Sequence, residues 1–573
     1  MNGRCRRPFH GGLAVVLLVL CAASAAAQVT DATVKGRVVD ASGDILPGAV
    51  VTARHADTGI RREATSDGAG TFLLAGLTPG VYSLGASVAG FRPFAKDGLR
   101  LTVGETADVT ITLGLANVQE SVEVTAGAVS VAVSREGRLS DTFGRTEVQN
   151  LPLPQRDVFL LPRMSAGAGD EGGAANSTKL SSSPVITVNG NRYRGNNYVL
   201  DGAMNTNPNN TGEPAIVPAL EAVEEVQVQT LNFAAEFGRG NGAVINVQTR
   251  SGTNELRGRA WEYFRSDALN ARNHFSSITP PQTFNQFGTT LGGPIFRNQT
   301  FFFGSYEGTR NEVARPFAFQ VETPELRDYV LRTSPDSVAA ELLRDFPAPA
   351  PDRGADGRYL DQRDLVTPGG TIPAIGRANV LLADDVRFDQ YFGRVDHVLG
   401  STQRLSARWI GEHQRDEGGT SSSAATLGRA LRGSRGPFEG FFGNLNVGAQ
   451  QIAGRAVNDV RVSYQIIDTT RGDPDAIVPT INITGITAPF GDVFESTTRL
   501  RTFEIRDVLT LERGQHAIRV GGEVRRVTKG LAIGPPTAGS FTFTTLSSFV
   551  ADRPFRQQLT VDPVSGEPTN FPR

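Results

Sequence analysis

Cysteine is almost missing from this sequence. Its 573 residues include two cysteines, Cys5 and Cys21, and both stand near the amino terminus. The rest of the chain therefore has no disulfide, no thiol nucleophile and no cysteine-based metal site. Histidine is also scarce, and none of the six histidines stands in a ligand spacing such as H-E-x-x-H. We expect no metal, no cofactor and no catalytic residue, and therefore a protein that is not an enzyme.

Long apolar runs are missing after residue 27. No later stretch reaches the ~18 consecutive apolar residues that indicate a membrane-spanning helix. If the chain enters a membrane, it must do so as a closed barrel of strands, the other fold that pairs its backbone groups in lipid. The net charge of −2 gives no electrostatic reason to expect nucleic acid as a partner. Abundant glycine, 64 residues, and scarce helical periodicity predict strands and turns.

Residues 1–27 are typical of a secretory signal peptide. Arg4, Arg6 and Arg7 precede an apolar run from Leu13 to Cys21, and small residues follow before Gln28. A membrane anchor is the alternative, but this run is too short to span ~30 Å of hydrocarbon. A lipoprotein cleavage before Cys21 is a second alternative, which the bulky Leu20 disfavours. We expect secretion across the inner membrane.

Residues 28–115 contain short strand-like runs separated by turn residues. Turn chemistry is clear at Pro47-Gly48, Asp67-Gly68 and Pro79-Gly80. Runs at this spacing predict a small antiparallel β-sandwich of the prealbumin or immunoglobulin type. The predicted strands are Thr33–Val39, Ala49–Ala53, Thr71–Ala75, Val81–Val88 and Glu105–Leu113.

The same segment resembles the carboxypeptidase regulatory-like domain. The resemblance rests on the strings GRVVD at 36–40, LPGA at 46–49 and LTPGVY at 77–82. It implies a regulatory or adhesive module of the carbohydrate-binding-like fold, without peptidase chemistry. Sugar binding would need exposed aromatic faces, and Phe72, Tyr82, Phe91 and Phe94 fit a core equally well. Whether the sandwich binds carbohydrate therefore stays open.

Residues 140–250 carry a second group of motifs. They include VNGNRYRGNNYVLDG at 188–202, VEEVQV at 223–228 and a strand-like run ending GAVINV at 242–247. In this order the motifs resemble the plug domain of TonB-dependent transporters, and within them the Oar-like group. The resemblance implies an α+β plug. Its motif residues here are Asn189, Gly190, Arg192, Asp201, Gly202, Glu224, Glu225, Phe237, Gly238 and Gly242.

A dinucleotide-binding pattern, G-x-G-x-x-A, overlaps these motifs at Gly238 to Ala243. That fingerprint needs a helix after its glycines, so that phosphates meet a helix N-terminus. The residues that follow, Val244 to Thr249, instead predict a strand. The sequence therefore disfavours a dinucleotide site.

The linker between sandwich and plug, residues 116–139, contains a run of alternating polar and apolar residues. One interpretation is a further edge strand of the sandwich. The other is a TonB box, which adds a strand to the sheet of the periplasmic TonB-type energy-coupling protein by β-augmentation. Its position before a plug favours the second interpretation. The candidate TonB box consists of Glu120, Ser121, Val122, Glu123, Val124, Thr125 and Ala126.

Residues 251–573 predict the N-terminal part of a transmembrane β-barrel. The connections between candidate strands alternate between long and short, with short turns such as Arg297–Gln299 and Gly400–Thr402. Outer-membrane barrels pair tight periplasmic turns with longer extracellular loops in this way. The candidate strands are Leu256–Arg265, Phe284–Phe296, Thr300–Asn311, Tyr391–Leu399, Gln403–Gln414, Gly440–Ile452, Arg455–Asp468, Thr498–Glu512 and His516–Lys529.

Side-chain alternation in these strands leaves two interpretations open. In the strand from Gln403, Leu405 and Trp409 stand on one face, and Arg404 and Arg408 on the other. A barrel would turn the apolar face to lipid and the charged face to a wet lumen, whereas a soluble sandwich would bury the apolar face. The loop lengths, leader and plug favour the barrel. Asp396 and His397 are strand neighbours that point to opposite faces, which disfavours a catalytic dyad.

Further strings, such as QFGTTLGGP at 286–294 and TFFFGSYE at 300–307, resemble the first barrel hairpins of Oar-like receptors. Plugged transporters have ~22 strands, so a chain with an odd set of candidate strands is expected to be incomplete at its C-terminal end. The resemblance implies a receptor in the outer membrane of a Gram-negative-type bacterium, embedded in lipid, that imports an extracellular ligand. Siderophores, oligosaccharides and peptides all remain open as the ligand. An outer-membrane binding or adhesion protein without transport is the alternative.

Overall fold

The computed structural model describes most of the chain. The described residues are 31–115, 129–134, 139–153, 156–170, 186–208, 213–234, 236–238, 240–272, 274, 279–417, 436–472, 480–491, 495–513, 516–533 and 540–558. The leader, residues 1–27, and the candidate TonB box, residues 120–126, lie outside them.

The first unit is a two-layer β-sandwich. Its sheets have the orders β4-β1-β7-β8 and β3-β2-β5-β6, and β1 runs parallel to β7. Alternate residues of each strand point inward, as in β7, where Ala107, Val109, Ile111 and Leu113 are buried. All five predicted strands are present. β3 and β6, which lie within the predicted sandwich, and β8, from the predicted linker, add to them. The strands are β1 (Ala32–Asp40), β2 (Val50–His55), β3 (Arg61–Thr65), β4 (Thr71–Leu77), β5 (Gly80–Ser87), β6 (Phe94–Leu101), β7 (Thr106–Leu113) and β8 (Val129–Ser134).

The second unit is an α+β plug around a mixed sheet of order β13-β12-β15-β14-β9. Val244–Thr249 is a strand, as predicted, and not the helix that a dinucleotide site would need. Its six residues are all buried, because both faces of β15 are covered. The elements are β9 (Leu139–Gly144), α1 (Arg145–Asn150), β10 (Ala168–Asp170), β11 (Ile186–Val188), β12 (Asn197–Leu200), β13 (Ala203–Met204), β14 (Val223–Leu231) and β15 (Val244–Thr249).

The third unit is a large antiparallel sheet, and each of the nine predicted barrel strands lies in it. The strands follow one another in chain order as β16-β17-β18-β20-β21-β22-β23-β25-β26, and β19 pairs with β20 at one end. This order is that of an up-and-down barrel wall, here forming part of a barrel. The strands are β16 (Arg257–Ser266), β17 (Gln282–Phe296), β18 (Thr300–Glu322), β19 (Arg363–Thr367), β20 (Gly370–Leu399), β21 (Gln403–Asp416), β22 (Phe438–Ala453), β23 (Ala456–Arg471), β25 (Ser496–Arg513) and β26 (His516–Ile533). β24 (Thr480–Ile483) follows β23 in the chain but belongs to a separate sheet.

The two faces of this wall decide between the barrel and a soluble sandwich. On β21 the ring of Trp409 is 36% exposed on the outer face, while its neighbour Arg408 is 3% exposed on the inner face. On β26 Val520 and Val524 are likewise exposed. Charged side chains such as Arg408 therefore point at the plug, while the outer face carries apolar side chains. Some inward residues, such as Phe392 and Ile410, are apolar and share a core with the plug. A water-soluble sandwich has the opposite arrangement, and a wall that meets lipid has this one.

Beyond the membrane, the long connection predicted from about 312 to 390 is more regular than the sequence suggests. Strands β18 and β20 continue as a paired ladder, in which Val313 to Glu322 face Ile375 to Asp384. Helices, β24 and two further strands from three separate loops then share one apolar core, an extracellular module that includes Leu326, Phe490 and Phe549. Its remaining elements are α2 (Pro324–Thr333), α3 (Val338–Asp345), β27 (Ser540–Phe543), α4 (Leu546–Val550) and β28 (Arg556–Gln558). No helix among the described residues is long and apolar enough to cross a membrane.

Candidate functional site

The plug meets the barrel wall at the turn between β12 and β13. Leu200 pairs with Ala203, so Asp201 and Gly202 form a two-residue hairpin loop. Both have positive φ, 49° and 77°. That pair of angles defines a type I′ turn, for which Asp-Gly is a preferred sequence. The Asp-Gly motif thus builds a tight tip that projects its backbone carbonyls toward the wall.

The carboxylate of Asp201 is buried, with the residue 5% exposed. One oxygen accepts a hydrogen bond from Thr249 N and the other from Thr249 Oγ1, each at 2.8 Å, which ties the turn to the end of β15. Two guanidinium groups of the wall complete its surroundings. Arg408 Nε lies 2.9 Å from one carboxylate oxygen, and Arg394 Nη1 lies 3.3 Å from the other. A buried carboxylate is retained only where such partners offset its desolvation.

The carbonyl groups of the same turn also face the wall. Asn446 Nδ2 donates to Asp201 O at 2.8 Å, and Arg461 donates to that oxygen as well. Arg506 Nη1 donates to Gly202 O at 3.2 Å. Together with Arg394 and Arg408, these residues place guanidinium groups from β20, β21, β23 and β25 on one plug turn. We call Arg394, Arg408, Arg461 and Arg506 the arginine cluster.

Acidic side chains of the wall balance the arginine cluster. Asp396 pairs with Arg394 at 2.7 Å, and Asp459 pairs with Arg461 at 2.9 Å. Arg506 pairs with Glu523 at 2.9 Å. Each guanidinium group of the cluster therefore lies near a carboxylate, from the wall or from the plug, and near an oxygen acceptor of the plug. Such a network holds the turn by directed polar contacts and not by apolar packing.

A second polar contact joins the plug to β20. Gln390 Nε2 donates to Val217 O, and Gln390 Oε1 accepts from Ala219 N, both at 2.8 Å. One amide side chain thus satisfies a donor and an acceptor of the plug backbone, as a neighbouring strand would. This buried contact fixes the plug segment before β14 against the wall.

A cavity of about 130 Å³ lies below the arginine cluster, on the side of the short turns. Plug and wall residues such as Asp201, Arg408 and Asp459 line it, and the sandwich contributes Asp31 and His55. Burial lowers the pKa of His55, whose Nδ1 accepts from Thr58 N at 3.3 Å. This space is polar and roomy enough for water, and a plug turn held by charged groups beside water can exchange partners.

The other plug motif residues lie in two places. Asn189 and Gly190 form another turn with positive φ, and Asn189 Nδ2 donates to Thr230 O at 2.7 Å. Phe237 packs with Val199 in a small cluster beside the sheet. Arg192 is exposed and Gly238 lies on the loop before β15. These five motif residues lie outside the Asp-Gly turn that the arginine cluster holds.

Glycine is required at Gly242. A Cβ at that position would lie 2.4 Å from Asn196 Oδ1 and 3.0 Å from Gly195 C. Asn196 Oδ1 accepts from Ala243 N at 2.9 Å, so the close approach fixes the start of β15.

Glu224 and Glu225 stand on β14 at the plug surface that meets the sandwich. Glu224 pairs with Arg145 at 2.5 Å, and both are partly exposed. Glu225 is buried and accepts from Val103 N of the sandwich at 2.8 Å. Burial raises the pKa of Glu225 to about 7. Glu225 therefore contacts the sandwich, whereas Glu224 pairs with Arg145 and Arg250 of the plug and lines the cavity.

The arginine cluster was missed by sequence reasoning. Alternation places Arg408 and Arg461 on charged, lumen-facing sides of their strands, but it does not show which plug residue they meet. Asp396 and His397 point apart, as predicted: Asp396 pairs with Arg394, whereas His397 Nδ1 lies 2.8 Å from Thr300 Oγ1. The sequence signals that pointed toward this contact were the Asp-Gly turn of the plug and the many arginines on the lumen-facing sides of the predicted barrel strands.

Comparison with known families assigns two parts of the chain. Residues 248–571 match the family described as the outer membrane beta barrel domain. Residues 33–114 match the carboxypeptidase regulatory-like domain. The resemblances drawn from the sequence motifs are thereby confirmed for the sandwich and the barrel, and the chain is placed in the outer membrane.

One curated relative is the TonB-dependent transporter Oar of Myxococcus xanthus, 29% identical over 313 residues. The match covers 52% of this chain and 28% of that protein, so the chain matches well under half the length of this relative.

Among solved structures, the outer membrane transporter YddB from Escherichia coli has a TM-score of 0.48 at 13% identity, covering 71% of this chain and 50% of that chain. The siderophore receptor PirA from Acinetobacter baumannii has a TM-score of 0.43 at 14% identity, covering 69% of this chain and 48% of that chain.

Proposed function

The chain belongs to the outer membrane beta barrel domain family, and from that premise we propose that it acts as a TonB-dependent receptor. In this function it binds an extracellular ligand, and energy from the inner-membrane TonB system moves the ligand into the periplasm. The observation that carries the proposal is the contact between Asp201 and the arginine cluster, which seats a plug in the lumen of the wall.

A seated plug blocks passage, so import requires the plug to rearrange. Elsewhere the plug and the wall share an apolar core that includes Phe159 and Phe392. At the Asp-Gly turn the contacts favour rearrangement, because they are charged and hydrogen-bonded and lie beside a polar cavity. Water can replace a guanidinium partner when a turn is withdrawn, whereas a closely packed apolar contact would leave a void. The plug is therefore built to be held firmly and to be moved without unfolding the wall.

We further propose that residues 120–126 are the TonB box. They precede the plug in the chain, and their alternating composition suits strand addition to the sheet of the energy-coupling protein. Force applied there would reach the plug along β8 of the sandwich and then through β9, the edge strand of the plug sheet.

The test is binding of the purified periplasmic domain of the host TonB-type protein to the full chain, measured by calorimetry. We expect binding by the unaltered chain and its loss when residues 120–126 are deleted. A matched control replaces the same residues with a Gly/Ser run of equal length, which keeps the spacing and removes the strand-forming pattern. Equal affinity of all three proteins would overturn the assignment of the box.

A binding or adhesion function without transport is the second candidate, and the extracellular module favours it. Three loops share a core that includes Leu326, Phe490 and Phe549. Loops that share a core present a fixed surface, which suits attachment to a polymer or a cell. Deleting residues 120–126 separates the two functions, because attachment would persist and import would stop.

A further inference from the structure

The sandwich is clamped to the plug by a pair of side chains on β14. Glu225 Oε1 accepts from Val103 N at 2.8 Å, and Gln227 Nε2 donates to Val103 O at 2.9 Å. Two residues apart on a strand, Glu225 and Gln227 share one face. Both backbone groups of Val103, in the turn between β6 and β7, are therefore satisfied by the plug.

The sandwich also sits on the rim formed by the short turns. Just before the first strand of the wall, Asn254 N donates to Asp57 O at 3.0 Å, and Asn254 Nδ2 donates to Thr58 O at 2.6 Å. The same amide nitrogen lies 2.7 Å from Asn298 Oδ1, in the turn between β17 and β18. One asparagine thus joins the sandwich, the start of the wall and its first periplasmic turn.

The next two periplasmic turns carry further contacts. Arg62 donates to Ser401 O, in the turn between β20 and β21. Arg455, in the turn between β22 and β23, pairs with Asp67 at 2.5 Å. Three consecutive hairpin turns of the wall are therefore contacted by one side of the sandwich.

This interface differs from the interior of the sandwich. The core of the sandwich is made only of its own residues, between Ala32 and Leu113, so the unit has a complete core without the wall. The rim contacts are hydrogen bonds and ion pairs, several of them partly exposed. Polar interfaces of this kind between domains permit relative motion. The sandwich can therefore leave the rim without unfolding.

The tether between sandwich and plug is short. Strand β8 ends at Ser134 while paired with β7, and β9 begins at Leu139 while paired with β14. Residues 135–138 join them, and five steps of extended chain reach at most ~18 Å. A larger displacement of the sandwich must therefore separate β8 from β7 or β9 from β14.

We propose that the sandwich is a releasable latch: docked, it holds plug and rim together across the periplasmic mouth, and released, it pulls β9 from the edge of the plug sheet. It also closes the polar cavity from below, where Gln450 Nε2 donates to Asp31 Oδ2 at 2.5 Å. The latch goes beyond the proposed function. It rests on that function in one respect, because it assumes that the plug moves during import. Docking itself does not depend on any ligand.

Cysteine cross-linking tests the docking, because the described chain contains no cysteine. In the full chain with Cys5→Ser and Cys21→Ser, the cross-link pair is Asp57→Cys and Asn254→Cys, whose backbones share a hydrogen bond of 3.0 Å. Disulfides form only between backbones that lie close together. The control pair is Ala89→Cys and Asn254→Cys. Ala89 is exposed and follows the C-terminal end of β5. The other end of β5 carries Tyr82, which pairs with His55, two residues before Asp57.

Under mild oxidation we expect the Asp57/Asn254 pair to cross-link at least about tenfold faster than the control pair, as docking raises its effective concentration. Equal rates would overturn the docked position. The pulling effect is tested by hydrogen exchange of the β9 and β14 amides in Arg62→Asp/Arg455→Asp, which sets carboxylates against Ser401 O and Asp67.

We expect this rim variant to lose the rapid cross-link and to exchange faster along β9. Arg62→Lys/Arg455→Lys, which keeps both positive charges, should stay close to the unaltered chain. The latch would be refuted if the rim variant lost the rapid cross-link but its β9 amides exchanged no faster than those of the unaltered chain. That result would not bear on the fold of the sandwich. Neither measurement involves the TonB protein or a ligand. A failed latch and a failed TonB assignment are therefore separate results.

Discussion

The replacement Asp201→Asn isolates the charge that holds the plug turn. Asparagine tolerates positive φ as aspartate does, so the type I′ turn at φ 49° is preserved. The amide keeps one oxygen to accept from Thr249 N. What disappears is the negative charge that lies 2.9 Å from Arg408 Nε and 3.3 Å from Arg394 Nη1.

The expected loss is large because the site is buried. Removing one partner of a buried pair leaves an uncompensated charge, which destabilises by about 3–5 kcal/mol. Arg394 keeps Asp396 at 2.7 Å, whereas Arg408 keeps only neutral partners such as Asn444 Oδ1 at 2.7 Å. We therefore expect most of the loss to arise at Arg408, and Arg408→Gln to add little when Asp201→Asn is already present.

Denaturant unfolding of the purified chain in detergent measures this, with the plug transition followed separately from that of the wall. The matched control is Glu255→Gln, the same carboxylate-to-amide change in an ion pair with Arg257 whose side chains are 71% and 50% exposed. That exposed pair contributes at most about 1 kcal/mol. A loss for Asp201→Asn no larger than that of the control would refute the view that the arginine cluster seats the plug.

Three further changes probe other parts of the structure. Because burial raises the pKa of Glu225 to about 7 from 4.5, the folded state binds a proton more tightly than the unfolded state. The free energy of unfolding should then decrease by about 3 kcal/mol as pH rises from about 4.5 to 7, and Glu225→Gln should flatten this slope in a pH series of melts. Val520→Arg, on the lipid face, should destabilise the wall in bilayers by about 2–4 kcal/mol, whereas Val338→Arg, equally exposed on the extracellular module, should leave it unchanged. Leu84→Ala, in the sandwich core, should lower the stability of the sandwich by about 2–5 kcal/mol in calorimetry without changing that of the wall.

Local pattern predicted the parts of the fold whose strands alternate clearly. The strands missed in the sandwich, Arg61–Thr65 and Phe94–Leu101, are both edge strands and carry several charges. Charged residues on edge strands discourage pairing with other chains, and the same charges hide the strand from a hydrophobic pattern. The extension of β18 and β20 beyond the membrane was missed because its core is completed by loop residues that are distant in the chain, such as Ala348 and Ala488.

The candidate site was predictable only in part. The Asp-Gly turn is a local signal, and Asp201 was identified from it. Its partner Arg394 is 193 residues away in the chain, and Arg506 is 304 residues from Gly202. Which lumen arginine faces which plug group depends on how the plug is rotated within the wall, and that rotation follows from the packing of all units together.

Uptake in the native host tests the central proposal most directly. A strain lacking this protein is compared with one making the unaltered chain and one making the chain without residues 120–126. Labelled ferric siderophores, oligosaccharides and peptides are supplied in separate arms, with binding at the cell surface measured beside accumulation. We predict one class whose accumulation requires the protein and is lost on deletion of 120–126 while surface binding remains. Unchanged accumulation after the deletion, or surface attachment with accumulation of no class, would contradict import by this protein.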